Sequence, residues 1–431
     1  MELCLQATGE RGLTDEEIRS GLLALLSNYP AKKVLILPPD YTRYHSKAGF
    51  LTQICYAHYT ALGATVDILP TLGTHRAMTR EEAADMFGGI PFEQFIAHNW
   101  RTDVVKIGEV PGSVIGAYTD GLWTEPIAVE VNRLLMDLTY DLILSPGQVV
   151  PHEVIGMANH AKNVFVGAGG AEMINKSHML GAVYGMERVM GRDFSPVRRV
   201  FDYALAHFLS ARPILLLLSV TTAPQGETLT HGLFCGRERD ALEAAIALSQ
   251  QKNIDFVPHA IQKCVVYLDS SEFHSTWLGN KAIYRTRMAI ADGGELLILA
   301  PGVETFGEDA QVDALIRKYG YCGRERVLTL LKSGACNDLA ENLSAAAHLI
   351  HGSTDGRFTV TYAVQPSMRA QIESVQFQSA DAEEMLRRYH PAKLQYGFNT
   401  MPDGEEIFYI PNPALGLWID RERFAREGGE L

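Results

Sequence analysis

Cysteine is sparse in this 431-residue chain: six residues, at positions 4, 55, 235, 264, 322 and 336, with no CxxC pair among them. That spacing argues against a disulfide scaffold and a cysteine-built zinc site, and reads as reduced thiols of a cytoplasmic protein. HExxH is also absent, so another common zinc constellation is missing. The most apolar run, Ile214 to Leu218 with its neighbours, falls far short of the ~20 residues of a membrane helix, and MELCLQATGERG has neither the basic flank nor the apolar centre of a signal peptide. No membrane partner is expected. Positive charge is scarce too: 38 Lys and Arg stand against 51 Asp and Glu, a net charge of −13. Phosphate binding over a duplex needs a concentrated cationic surface, so no nucleic-acid partner is expected. A local cationic pocket for a small anionic substrate remains compatible with that balance. The chain also lacks internal repeats, low-complexity tracts and a glycine-rich dinucleotide fingerprint with its downstream acid.

What is present is an alternation of strands and helices. Thr14 and Glu17 form a capping box ahead of Ile18, Leu22, Leu23 and Leu26, which predicts a first helix. Val34 to Leu37 reads as a buried strand stopped by Pro38-Pro39 and followed by Asp40 and Arg43; Phe50 to Leu62 reads as a helix. The design recurs in Val66 to Leu69, a strand that leads to Gly73, His75 and Arg76, with Thr79 and Glu82 capping the next helix. It recurs again in Leu142 to Leu144, followed by Ser145-Pro146-Gly147 and His152. Alternation of this kind predicts mainly parallel α/β sheets, with ligands beyond the carboxyl ends of the strands. Further strands are expected at 214–220, 264–268, 296–300, 359–364 and 407–410, and continuous helix after His178 to about His207. We expect two α/β domains, residues 1–262 plus 396–431 and residues 263–395, with the active site in the cleft between them.

The segment Leu144 to His178 concentrates the ionisable residues, between what read as two short apolar strands, the second at Val164 to Val166. His75 and His152 suit a general acid/base pair if both face one cavity; either alone is equally a surface or capping histidine. Lys162 permits covalent catalysis if an apolar pocket loosens its proton, and is otherwise an ordinary snorkelling lysine. Gly167, Gly169 and Gly170 form a turn whose N–H groups could face a phosphate, although GAGG alone equally describes a tight turn. Arg43 and Lys281 are candidate partners for a substrate carboxylate, and Asp40 could orient Arg43 or a neighbouring ligand. A dehydrogenase or a metal hydrolase using the same histidines, and a non-catalytic carrier, are the competing readings.

The set DYTR at Asp40 to Arg43, GTHR at Gly73 to Arg76, PHEVIGMANHAK at Pro151 to Lys162, the glycine turn and NKSH ending at His178 resembles the nickel-dependent lactate racemase family, with a looser echo in WLGNKA, Trp277 to Ala282. The resemblance implies an isomerase that inverts C2 of a 2-hydroxy acid by proton-coupled hydride transfer. It implies a nickel-pincer nucleotide, a pyridinium mononucleotide carrying nickel, linked covalently to Lys162 and absent from protein made in an ordinary host. Cofactor-biosynthesis proteins are then expected partners. His178 matches the nickel ligand, His75 and His152 the two proton-handling histidines, and Asp40 with the glycine turn a part of the cofactor site. Arg43, Trp277, Leu278 and Lys281 match the substrate-binding surface. This chain departs from the family pattern in three places: Asn159-His160 replace a glycine pair, Leu278 replaces a substrate-binding glutamine, and His348 and His351 stand where the lactate enzymes have a tryptophan. These changes predict a substrate larger or more polar than lactate, such as a sugar acid.

Overall fold

The computed structural model describes residues 1–9, 11–223, 227–334, 336–413 and 416–426. The chain divides into two compact units, residues 1–177 with 189–253 and residues 178–188 with 254–431. Each has its own six-stranded sheet.

In the first unit the elements that matter are β1 (Leu3–Gln6), α1 (Asp15–Leu26), β2 (Lys33–Ile36), α2 (Ala48–Ala61), β3 (Thr65–Ile68), β4 (Leu142–Gln148), α3 (Ala171–Tyr184, which runs on into the second unit), α4 (Pro196–Phe208), β5 (Ile214–Thr222), β6 (Leu229–Gly236) and α5 (Arg239–Asn253). The sheet order is β1-β6-β5-β4-β2-β3. β3, β2, β4 and β5 run parallel, and β6 and β1 add antiparallel strands at one edge. β5 is buried along almost its whole length, as expected of a strand inside a parallel sheet. The expected capping box of α1 forms, with Glu17 N–H donating to Thr14 Oγ1. Ile18, Leu22 and Leu26 on its inner face then pack with Ile54 and Tyr59 of α2 over Val34, Ile36, Leu144 and Leu215. Since β4, β2 and β3 are parallel neighbours, the segments that follow them, carrying His152, Asp40 and His75, leave from the same edge of the sheet.

The second unit holds β7 (Ile261–Tyr267), α6 (Lys281–Thr286), β8 (Ile290–Leu299), α7 (Leu343–His351), β9 (Thr359–Val364), β10 (Gln378–Asp381), β11 (Gly397–Thr400) and β12 (Glu406–Ile410). Its order is β10-β9-β8-β7-β12-β11, parallel except for the β11–β12 hairpin. Val265, Leu297, Leu299, Ala363 and Tyr409 form the core of that sheet.

Three expectations need correction. Residues 396–426, expected to return to the first unit, belong to the second, and the boundary falls after Asn253 rather than at 262. Backbone hydrogen bonding decides this: β12 pairs in parallel with β7, so that Phe408, Tyr409 and Ile410 align with Cys264, Val265 and Val266. Val164 to Val166 is not a strand but part of a π-helical turn, Asn163–Gly167, in which the N–H of Ala168 donates five residues back to Asn163 O at 2.9 Å. The helix after His178 ends at Tyr184, and a new one starts at Pro196 under the N-cap Ser195, whose Oγ accepts from Arg198 N–H. Among the described residues no helix is long and apolar enough to cross a membrane.

Candidate active site

Pro38-Pro39 follow β2 and deliver Asp40 to the N-cap of a short 3-10 turn, Tyr41–Ser46. Asp40 is 4 % exposed. Its Oδ1 accepts from Thr42 N–H at 3.1 Å and from Thr42 Oγ1 at 2.5 Å, and its Oδ2 is 2.6 Å from His75 Nδ1. Burial pushes this carboxyl up, but the bonds from His75 and Thr42 outweigh it and hold it below its ordinary value. A carboxylate at that distance fixes the proton of His75 on Nδ1 and leaves Nε2 as the basic nitrogen. His75 itself is brought back over the sheet by Gly73, whose left-handed φ of +57° makes the turn and whose N–H donates to Gly167 O at 2.8 Å.

His152 ends a two-residue strand paired antiparallel with Gly156-Met157. It is buried, and its Nδ1 accepts from Val154 N–H at 3.1 Å. The hydrogen bonds therefore assign opposite tautomers: His75 carries its proton on Nδ1, His152 on Nε2.

Lys162 keeps part of its surface accessible, yet its ammonium sits in dense surroundings. Burial, then the charge of Arg43, push it down to about 8, with Arg198 adding to the effect and Glu153 and Asp40 opposing it. The structure thus places Asp40, Arg43 and Glu153 within electrostatic reach of Lys162, with His75 bonded to Asp40. Arg43 is exposed.

The glycine turn departs from expectation. The N–H of Gly169 donates to Val166 O and that of Gly170 to Glu130 O, so neither is presented to a phosphate. Their lack of a side chain is explained by packing: a Cβ on Gly169 would lie 1.9 Å from Phe165 O, one on Gly170 2.2 Å from Glu130 Oε2, and one on Gly167 2.5 Å from Thr71 Cβ. Gly169→Ala should therefore destabilise the protein by about 1–3 kcal/mol, a loss measurable by urea unfolding; an unchanged midpoint would show that the turn has slack. Two residues not singled out in the sequence support this turn. Asn132 Nδ2 donates to His98 Nδ1, and His98 Nε2 lies 3.0 Å from Gly169 O. Nothing in their local sequence marks them, since the contacts join residues 34 and 71 positions apart.

The remaining candidates lie in the second unit. His178 is on the part of α3 assigned to it. Trp277 and Leu278 lie on a single helical turn, Thr276–Gly279, capped by Ser275, and Lys281 opens α6. All three are partly exposed. The indole of Trp277 stacks on His348, ring centroids 4.2 Å apart. His348 Nδ1 is 2.7 Å from Tyr284 Oη and its Nε2 2.9 Å from Tyr321 Oη. Burial and the nearby His351 push its imidazole down to about 3. Both nitrogens of His348 are thus engaged by tyrosines inside the unit. Among the described residues there is no cluster of three or more His, Cys, Asp or Glu side chains that could hold a metal.

Residues 18–191 match the lactate racemase N-terminal domain family. No curated protein matches the chain. Among solved structures, a protein from Thermotoga maritima is 23 % identical with a TM-score of 0.77, covering 96 % of this chain and 99 % of that one. The lactate racemase apoprotein from Thermoanaerobacterium thermosaccharolyticum is 17 % identical with a TM-score of 0.70, covering 95 % and 93 %. Identities this low establish a shared fold.

Proposed function

We propose, for a chain whose residues 18–191 match the lactate racemase N-terminal domain family, that it is a racemase or epimerase of 2-hydroxy acids dependent on a lysine-tethered nickel-pincer nucleotide. The observation that carries the reading is the Asp40–His75 pair beside a lysine whose amine is partly deprotonated near neutral pH. The residues fit the cofactor at the tether: Lys162, its proton loosened, offers a neutral amine as nucleophile, and the Arg43 cation acting on it suits an anionic group. His178 supplies an imidazole of the kind Ni(II) accepts. The glycine turn does not contribute phosphate-binding N–H groups at Gly169 and Gly170, because both donate to carbonyls of the chain. When bound, the cofactor supplies a hydride acceptor.

The chain's own residues handle the proton and the substrate. His75 Nε2 accepts the proton of the 2-hydroxyl, and the Asp40 carboxylate stabilises the imidazolium that results. His152, with its proton on Nε2, is a donor to the substrate oxygen. Arg43 is the cation for the carboxylate.

Protein made in cells that synthesise the cofactor should carry an adduct on Lys162 with equimolar nickel, read by intact mass and metal analysis, and Lys162→Arg should abolish both. An unmodified Lys162 under those conditions would sink the tethered-cofactor reading. A panel of chiral 2-hydroxy acids, followed by exchange at C2, should then identify the substrate.

A further inference from the structure

The turn that leads into Lys162 is strained. Asn159 and His160 both adopt left-handed backbone, with φ of +72° and +59°. For residues with a Cβ that region is disfavoured against the right-handed one, less so for Asn and His, and two such residues in succession call for a restraint from the surroundings. We propose that Arg198 is the positioning residue of Lys162: its buried guanidinium grips the carbonyls of this left-handed turn and so fixes the direction in which the lysine amine is presented.

Arg198 is 0 % exposed, the largest fully buried side chain among the described residues. Its Nη2 donates to Met157 O at 2.6 Å, and Nη1 and Nη2 both reach Asn159 O at 3.3 Å. The start of α4 adds a further clamp on the same segment, because Ser195 Oγ donates to Ile155 O at 2.7 Å while capping Arg198 N–H. The nearby acids are engaged elsewhere: Arg239 binds Asp193 and Asp202, each at 2.5 Å. A buried guanidinium that directs its hydrogen bonds to the carbonyls of one loop is spent on holding that loop. An apolar side chain would fill the space without the desolvation cost but could not hold the carbonyls.

His160 does not share this work. It is 3 % exposed, its ring nitrogens have no hydrogen-bond partner among the described residues, and its nearest acid, Asp202, is 3.8 Å away. Burial, with Arg198 and Arg239, keeps the ring neutral. Glycine at 159 and 160 would thus relax the backbone; it costs the bond from His160 N–H to Asn159 Oδ1 at 2.7 Å but none to the His160 ring.

The inference rests on Lys162 being the reactive amine of the proposed function, and the charged groups acting on that amine are Arg43, Glu153, Arg198 and Asp40. The test is reductive methylation of the full chain by formaldehyde and cyanoborohydride, made without cofactor and read at Lys162 by peptide mass spectrometry between pH 6 and 10. Arg198→Lys keeps the charge but loses the fork. It should slow Lys162 modification at pH 7.5 by about fivefold or more, with the half-maximal pH moved upward, as the amine drifts towards solvent and its ordinary proton affinity. Lys32 and Lys393, both exposed and far from the turn in sequence, serve as internal references. In an Asn159→Gly, His160→Gly background, where the turn needs no restraint, the same Arg198→Lys change should cost less than about twofold, a coupling that general loosening of the fold does not produce. An unchanged Lys162 profile in Arg198→Lys overturns the proposal, and so does a loss that persists undiminished in the glycine background. If the coupling holds while the wild-type chain never acquires the cofactor adduct, the positioning role stands and the tether reading fails.

Discussion

Asp40→Asn should lower the rate of C2 inversion by about 10²–10⁴, the range associated with loss of a positioned acid or base, while leaving the fold intact. Oδ1 of Asp40 already accepts two bonds from Thr42, which would orient an asparagine with its oxygen on that side and its Nδ2 towards His75. Nδ2 is a donor, so His75 Nδ1 would have to accept. The proton would then move to Nε2, the nitrogen proposed as the base. Nitrogen-15 NMR of the imidazole reads the tautomer directly, and the substrate panel reads the rate. A variant with unchanged tautomer and a rate close to that of wild type would sink the Asp40–His75 assignment. His75→Ala should be at least as severe, and His152→Ala milder, because a donor to the substrate oxygen polarises without removing the proton.

The largest stability effect is expected in the second unit. Glu187 holds the segment 178–188 to that unit through Arg287, whose Nε lies 2.5 Å from Glu187 Oε1, with Arg357 at 3.4 Å. Arg287 is 3 % exposed. Removing one partner of a pair this enclosed leaves the other charged and unpaired, so Glu187→Ala should cost about 3 kcal/mol. For a unit of this size that is roughly 6–12 °C in Tm, read by differential scanning calorimetry; a shift under about 2 °C would show the pair to be solvated. Burial pushes Glu187 up, but the charge of Arg287, hydrogen bonds and Arg357 more than offset it, and its folded value lies below the ordinary one. Its stabilisation is therefore fully present above the unfolded value of about 4.3 and is lost as the pH falls through the lower folded value. Wild type should lose Tm more steeply than Glu187→Gln as the pH falls below about 4.

Much of the first unit was legible because its signals are local. Capping boxes at Thr14 and Thr79 and the proline stops after the strands act over a few residues, and both caps form. Parallel strands then send their loops to one edge by geometry alone, which is why Asp40 and His75, 35 residues apart, could be expected together and are bonded. Long-range choices were not legible. The chain end pairs with β7 rather than with the first sheet because backbone register decides it, and both sheets offer apolar strands. Nor does local sequence show that Tyr284 and Tyr321, 64 and 27 residues away, engage both nitrogens of His348.

By itself the sequence determined the α/β alternation, the ionisable residues at the strand ends and the likeness to a family that handles C2 hydrogens. Those depend on residue identity and on spacings of a few positions. Only the tertiary structure decided which nitrogen of each histidine carries its proton, that the glycines serve packing, and that Asn159 and His160 accept a left-handed backbone under the grip of Arg198. Each of these turns on a hydrogen bond or a close contact that the folded chain makes, and no local pattern of residues encodes which carbonyl a buried donor will reach.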